Sequence, residues 1–168
     1  MIRIGVLTPH AALGPEAEFP AMAPGQVVSC VARVPSDGVS AVAAGGSPTS
    51  SAGLRALTAA EYLDSAAEQL GGSIDVIGYA STSSAYAIGF DAEVALLARL
   101  LQRAGNPVVA TCASVVLALG VLGIERIALV DPPWFDAELN ELGAAYFRSQ
   151  GFDVVSSTGM QLSNARNT

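Results

Sequence analysis

The chain has 168 residues, of which 51% are hydrophobic and 14% charged, with a formal net charge of −7. That length suits one domain of ordinary size with a real core, and that hydrophobicity excludes disorder, which needs low hydrophobicity and high charge. The acidic balance leaves no basic surface to neutralise phosphates, so nucleic acid is excluded as a partner. An acidic chain still binds a small anion where local donors outweigh the remote field.

Apolar runs alternate with helix-period segments along the chain. Ile2 to Leu7 reads as a first buried strand and Val27 to Val34 as a second, with Cys30 inside it. A loop rich in Gly, Ser and Pro follows from Pro35 to about Ser51. The spacing predicts a helix from about Leu57 to Leu70, with Leu63, Ala66, Ala67 and Leu70 on one face and Gly71 and Gly72 at its end. Ile74 to Tyr79 is the third strand. Asp91 to Arg103 is the next helix, with Val94, Leu97, Leu100 and Leu101 on one side, and Val108 to Ala110 starts another strand. Ala113 to Leu122 is apolar nearly all round, which predicts a buried helix. Arg126 to Val130 is a fifth strand, Asp131 to Pro133 breaks the chain, and Phe135 to Gln150 is a helix on Leu139, Leu142 and Phe147. Phe152 to Ser156 is a sixth strand, and the polar residues from Ser157 to Thr168 read as a tail.

Strand followed by helix at short spacing argues an α/β fold, a doubly wound, mostly parallel sheet with helices on both faces. The run Ile2 to Leu7 is too short for a signal peptide, and the longest apolar run, Val108 to Leu122, is interrupted by Thr111, Ser114 and Gly120. The expectation is therefore a cytoplasmic protein with no membrane partner. The two cysteines and one histidine make neither a disulfide framework nor a metal cluster. No Gly-rich fingerprint follows the first strand, and Gly45 and Gly46 have no strand before them, so no nucleotide cofactor is expected.

The most informative segment runs from Ile74 to Ser84. It is a short buried strand that passes directly into Ser81, Thr82, Ser83 and Ser84, with a helical pattern after them. Ligands collect at the carboxyl ends of parallel strands, and backbone N–H and hydroxyl groups there can share the two oxygens of a carboxylate. The alternative is a polar turn whose hydroxyls cap the next helix. Other candidates also carry two readings. Cys112 stands at a helix start, where a thiol pKa is lowered and the residue becomes a nucleophile, or it is a buried structural cysteine. Cys30 reads as core. His10 is either a surface hydrogen-bonding residue or a cleft residue. Trp134 lines a cleft or plugs the sheet edge. The acids Asp136, Glu138 and Glu141 read as a solvated helix face that complements the dipole.

Ile2 to Pro9, Asp75 to Ser84, Gly123 to Val130 and Pro132 to Asn140 together resemble the aspartate/glutamate racemase superfamily, and within it the maleate cis-trans isomerases and arylmalonate decarboxylases. The resemblance extends from Ile2 to about Ser156. It implies two similar α/β lobes around a cleft, with residues 1–112 as the first, 113–156 as the start of a partial second, and 157–168 as the polar tail. It also implies cofactor-independent isomerase, decarboxylase or racemase chemistry on a small mono- or dicarboxylate, with two cysteines acting on opposite faces of the substrate.

Carried over by position, Ser81 falls where the isomerases have the first-lobe cysteine after Tyr79 and Ala80, and where decarboxylases carry glycine. Thr82 and Ser83 match the hydroxyl pair that binds a carboxylate. Thr8 and Pro9 match the cleft-bordering loop after the first strand, where the isomerases carry an Asn. Phe135 stands where the family has a Tyr, before the Asn140–Glu141 pair. The second-lobe cysteine of the family falls beyond the end of this chain, which leaves Cys112 as the remaining candidate thiol. The resemblance thus implies Ser81 at the catalytic position and Thr8, Pro9, Thr82, Ser83 and Phe135 as substrate-binding. Cys112, where the family holds a small residue, is a catalytic candidate from its place at a helix start, and Trp134 a substrate-binding one from its loop. The departures keep open a carboxylate-binding, non-catalytic member of the fold, and an open sheet edge would suit a homo-oligomer.

Overall fold

The computed structural model describes residues 1–9, 13–34 and 49–160. His10, most of the loop from Pro35 to Ser51 and the end of the polar tail lie outside the described residues.

Six strands form two parallel sheets. β1 (Ile2–Thr8), β2 (Val27–Arg33), β3 (Val76–Tyr79) and β4 (Val108–Ala110) make a four-stranded sheet in the order β2-β1-β3-β4. β5 (Arg126–Asp131) and β6 (Asp153–Gly159) pair separately. β6 therefore carries regular structure past Ser156, three residues into the segment expected to be tail. The helices are α1 (Gly14–Met22), α2 (Ser51–Ala56), α3 (Ala60–Leu70), α4 (Thr82–Ile88), α5 (Phe90–Ala104), α6 (Thr111–Val121) and α7 (Ala137–Ser149). The fold is α/β, with helices on both sides of a parallel sheet.

Register explains the first core. Leu7 pairs with Tyr79 and Ala32, and Tyr79 with Ala110, so these side chains share one face of the pleat. α3 buries Leu63, Ala66, Ala67 and Leu70 against that face, and α5 adds Leu96 and Leu100. Gly5 lies on the same face because a Cβ there would meet Ile74 Cδ1 at 2.5 Å and Leu70 Cδ1 at 3.0 Å. On the opposite face α1 covers β2, tied by Ser29 Oγ donating to Pro15 O at 2.9 Å and by the Arg33–Glu16 ion pair at 2.7 Å.

Several expectations are corrected. The helix expected from about Leu57 to Leu70 is α3, which starts at Ala60, and an additional helix, α2, precedes it: Ser50 caps α2 by accepting from Gly53 N, and Thr58 Oγ1 donates to Arg55 O at its end. The buried stripe of α5 is Glu93, Leu96 and Leu100, while Val94 and Leu101 are exposed; the acid occupies a position that the apolar pattern skipped. α6 is not a buried helix: Cys112 is its one buried residue, while Leu117 is 71% and Val121 89% exposed. Its apolar residues surround the axis, but neighbouring elements cover only one side. Cys30 is exposed as well. It shares a face with buried Ala32 and Val34, but it lies midway along β2, the edge strand of its sheet. No helix among the described residues is long and apolar enough to cross a membrane.

Candidate functional site

The parallel sheet brings the ends of β1, β3 and β4 to one edge. Ala80 N donates to Leu7 O at 2.8 Å, which places the start of α4 beside Thr8. Thr111 follows β4 and its hydroxyl reaches Tyr79 O at 3.4 Å. Ser81 is the residue before α4, in non-helical backbone with φ −150 and ψ 86. Its Oγ donates to Ser84 Oγ at 2.8 Å and caps no backbone N–H of the helix. Ser81 and Ser84 are thus a buried pair that braces the turn. Thr82 and Ser83 face the other way.

They face a cleft of about 500 Å³ lined by Ala80, Thr82, Ser83, Tyr86 and Thr111 from the first sheet's edge, and by Val130, Asp131, Pro132, Trp134 and Phe135 from the end of β5. The turn after β5 is closed by Phe135 N donating to Pro132 O at 3.0 Å, and Asp136 then caps α7 by accepting from Leu139 N at 2.8 Å. Trp134 and Phe135 pack edge-to-face at 4.4 Å, and Phe135 meets Tyr86 in the same manner at 6.1 Å. Trp134 remains 43% exposed while Phe135 is buried, so the wall has a fixed inner ring and an open outer one. Gly143 of α7 lets this wall form: a Cβ there would overlap Tyr86 Cδ2 at 2.6 Å.

Of the residues predicted from sequence, Thr82, Ser83, Trp134 and Phe135 meet in this cleft. Thr8 is buried at the end of β1, where its carbonyl accepts from Val34 N at 2.9 Å, and Pro9 is half-buried just beyond it. Neither lines the cleft, nor do Ser81 and Cys112. Cys112 is 1% exposed and its thiol donates to Thr82 O at 3.9 Å. Burial pushes that thiol well above its ordinary range, with the Glu93 carboxylate adding to the shift. Desolvation disfavours the thiolate more than the helix start favours it, the reverse of the lowered pKa expected of a nucleophile. Of the acids at the start of α7, Glu138 also accepts from Ser51 Oγ at 2.6 Å and so ties α2 to α7.

Sequence reasoning treated Asp131 only as part of a chain break. The structure places it at the carboxyl end of β5, 5% exposed, with Oδ2 buried and without a hydrogen-bond partner. Burial raises its pKa above the ordinary carboxylate range. The signal was available: an acid ending an otherwise apolar parallel strand sits where ligands collect.

A larger cavity, about 610 Å³, lies at the far end of α4 between Arg55, Phe90, Tyr146 and Gln150. It is away from the strand ends and gathers none of the predicted residues. Among the described residues, no group of three or more His, Cys, Asp or Glu side chains is placed to hold a metal.

A family model described as arylmalonate decarboxylase matches residues 50–167. The fold is similar to that of maleate isomerase from Pseudomonas putida S16, with a TM-score of 0.77 and 21% identity over 97% of this chain and 65% of that one. It is similar to a Nocardia farcinica maleate cis-trans isomerase variant with a covalently bound succinylcysteine intermediate, with a TM-score of 0.75 and 22% identity over 96% of this chain and 64% of that one. A variant of arylmalonate decarboxylase in a sulfate-associated form gives a TM-score of 0.71 and 20% identity over 96% and 64% of the two chains. At these identities the likeness is one of fold, and the chain spans less than two-thirds of each of those structures. No curated protein sequence matches the chain.

Proposed function

Because the chain belongs to the arylmalonate decarboxylase family, we propose that it acts without a cofactor on a small mono- or dicarboxylate, decarboxylating a malonate-type acid. The observation that carries this reading is the single cleft in which Thr82 and Ser83 meet Asp131 and an aromatic wall at the ends of β3 and β5. The two hydroxyls donate to the carboxylate that the product retains. Loss of carbon dioxide moves negative charge onto that group as an enediolate, so donors held there gain strength in the transition state. Tyr86, Trp134 and Phe135 take the alkyl or aryl substituent and keep water from it. Thr8 and Pro9 support the cleft from the neighbouring strand, and Ser81 braces its turn through Ser84.

Decarboxylation is preferred to maleate-type isomerisation because Ser81 stands where the isomerases carry a thiol, and a serine hydroxyl without a base is a far weaker nucleophile than a thiolate. A second reading, carboxylate binding without turnover, is favoured by one observation: the Cys112 thiol is buried and held in its protonated form.

Proton NMR of the chain in heavy water with phenylmalonate, methylmalonate, maleate and aspartate tests these readings. The expected result is loss of carbon dioxide from a malonate, abolished in Thr82→Ala. Line broadening of an acid without turnover, also lost in Thr82→Ala, supports the second reading. No change in any of the acids overturns both.

A further inference from the structure

Asp131 is a costly residue to place where it is. A carboxyl group in a dry site pays for its ionised form unless a cation or several donors answer it. Here no ion pair among the described residues includes Asp131, and Oδ2 is buried without a partner. Its backbone needs nothing from the side chain, since the Asp131 carbonyl already accepts from Met160 N at 2.8 Å. The β6 residue in register with it is Gly159, which offers no side chain. The ionisable groups near it on α4 and α6 are Tyr86 and Cys112, which burial holds in their neutral forms. Asp131 is thus the one acid among the described residues that lines the cleft, and it faces the same space as Thr82 and Ser83.

We propose that Asp131 is the proton-transfer residue of this cleft, delivering its carboxylic proton to the α-carbon of an acid whose retained carboxylate is held by Thr82 and Ser83. The inference rests on the carboxylate reading above and assigns the acid that it leaves unnamed. With a malonate, the bond from the α-carbon to the departing carboxylate breaks, carbon dioxide leaves, and the electron pair stays as the enediolate. The Asp131 O–H bond then breaks and its proton forms the new C–H bond. The Asp131 carboxylate takes a proton from water, so each turnover consumes one solvent proton and releases one carbon dioxide. Burial serves this step by holding the group protonated at a pH where an exposed aspartate is ionised.

The test compares the wild type, Asp131→Asn, Asp131→Glu and Thr82→Ala with phenylmalonate as substrate and phenylacetate as a non-reacting ligand. In Asp131→Asn we expect kcat to fall about 100-fold or more, the scale of a lost general acid, with phenylacetate affinity changed by less than about threefold. Asp131→Glu, which keeps the acid, restores part of the rate. In the wild type kcat/KM falls as pH rises through the raised pKa of Asp131, and this limb is absent from the residual rate of Asp131→Asn. That loss of the limb separates proton transfer from a merely structural role. Should Asp131→Asn fail to fold, the Asp131→Glu rate and a displaced limb decide instead. An Asp131→Asn rate and pH profile like the wild type's overturn the proposal. Wild type that binds phenylacetate through Thr82 but turns nothing over overturns proton transfer while leaving the carboxylate site standing. Absence of phenylacetate binding overturns the carboxylate reading itself.

Discussion

The four-stranded sheet and the β5–β6 pair are built from similar residues but solve burial differently. The first closes a core of Leu7, Leu63, Ile77, Tyr79 and Leu100 between its strands and two helices. Its buried acid Asp64 is answered by Arg99 at 3.0 Å and Arg103 at 3.2 Å. The second builds its core from rings, Tyr86, Phe135, Tyr146 and Phe147, and leaves buried acid oxygens of Glu93 and Asp131 unanswered. The helix between the two regions, α6, turns Leu117 and Val121 outward. The buried acid of the first region is ion-paired, whereas Glu93 and Asp131, where the second meets it, are in no ion pair among the described residues.

The largest test of that contrast pairs two leucines. Leu63→Ala removes a fully buried side chain from between α3 and the sheet and should cost about 2–5 kcal/mol in chemical denaturation. Leu117→Ala, on the outward face of α6, should change stability by less than about 0.5 kcal/mol. Similar costs at the two positions would erase the distinction between the closed first core and the uncovered face of α6.

A smaller effect is expected at the seam. Gly143→Ala places a methyl against Tyr86, so α7 must move from α4 or the ring must turn. Overpacking of this kind costs about 1–3 kcal/mol. Because Tyr86 also lines the cleft, the variant should weaken phenylacetate binding along with stability. A stability loss with unchanged binding would separate the aromatic core from the cleft wall.

The contrast between the regions also accounts for what could be read in advance. The first sheet was legible because its strands are apolar runs of the right length and α3 carries its apolar residues on one face. The hydroxyl turn was legible for the same reason: Thr82 and Ser83 directly follow a strand. α1 escaped, since Pro15 and Pro20 interrupt it and it buries no residue of its own. α6 and Cys30 were misjudged because hydrophobicity reports what a residue prefers, while burial depends on what the rest of the chain places over it. Glu93 and Asp131 were overlooked because polar residues within an apolar pattern look like its edges. A buried acid becomes visible only once the packing around it is known.

That difference in acids predicts opposite responses to pH. In the first region Arg3 donates to Asp75 from its backbone N at 2.8 Å and its Nη2 at 2.7 Å, which lowers the Asp75 pKa to about 2. A lowered pKa adds stability that is present above the ordinary carboxylate value and is lost as pH falls through about 2. Glu93 behaves in the opposite sense. Burial raises its pKa, and the hydrogen bond that Tyr146 donates to Oε2 only partly offsets this. A raised pKa adds stability that is fully present below the ordinary carboxylate value and is lost as pH rises through the folded value. Asp131 adds to the same trend. Melting temperature should therefore decline as pH rises above the ordinary carboxylate range. Glu93→Gln should flatten that decline, while Asp75→Asn should leave it intact and alter only the acid side. A slope unchanged in Glu93→Gln would mean that its unanswered oxygen carries no folding cost. Asp131 would then be the group to examine next, since Asp131→Asn removes the other raised acid and should flatten the same slope.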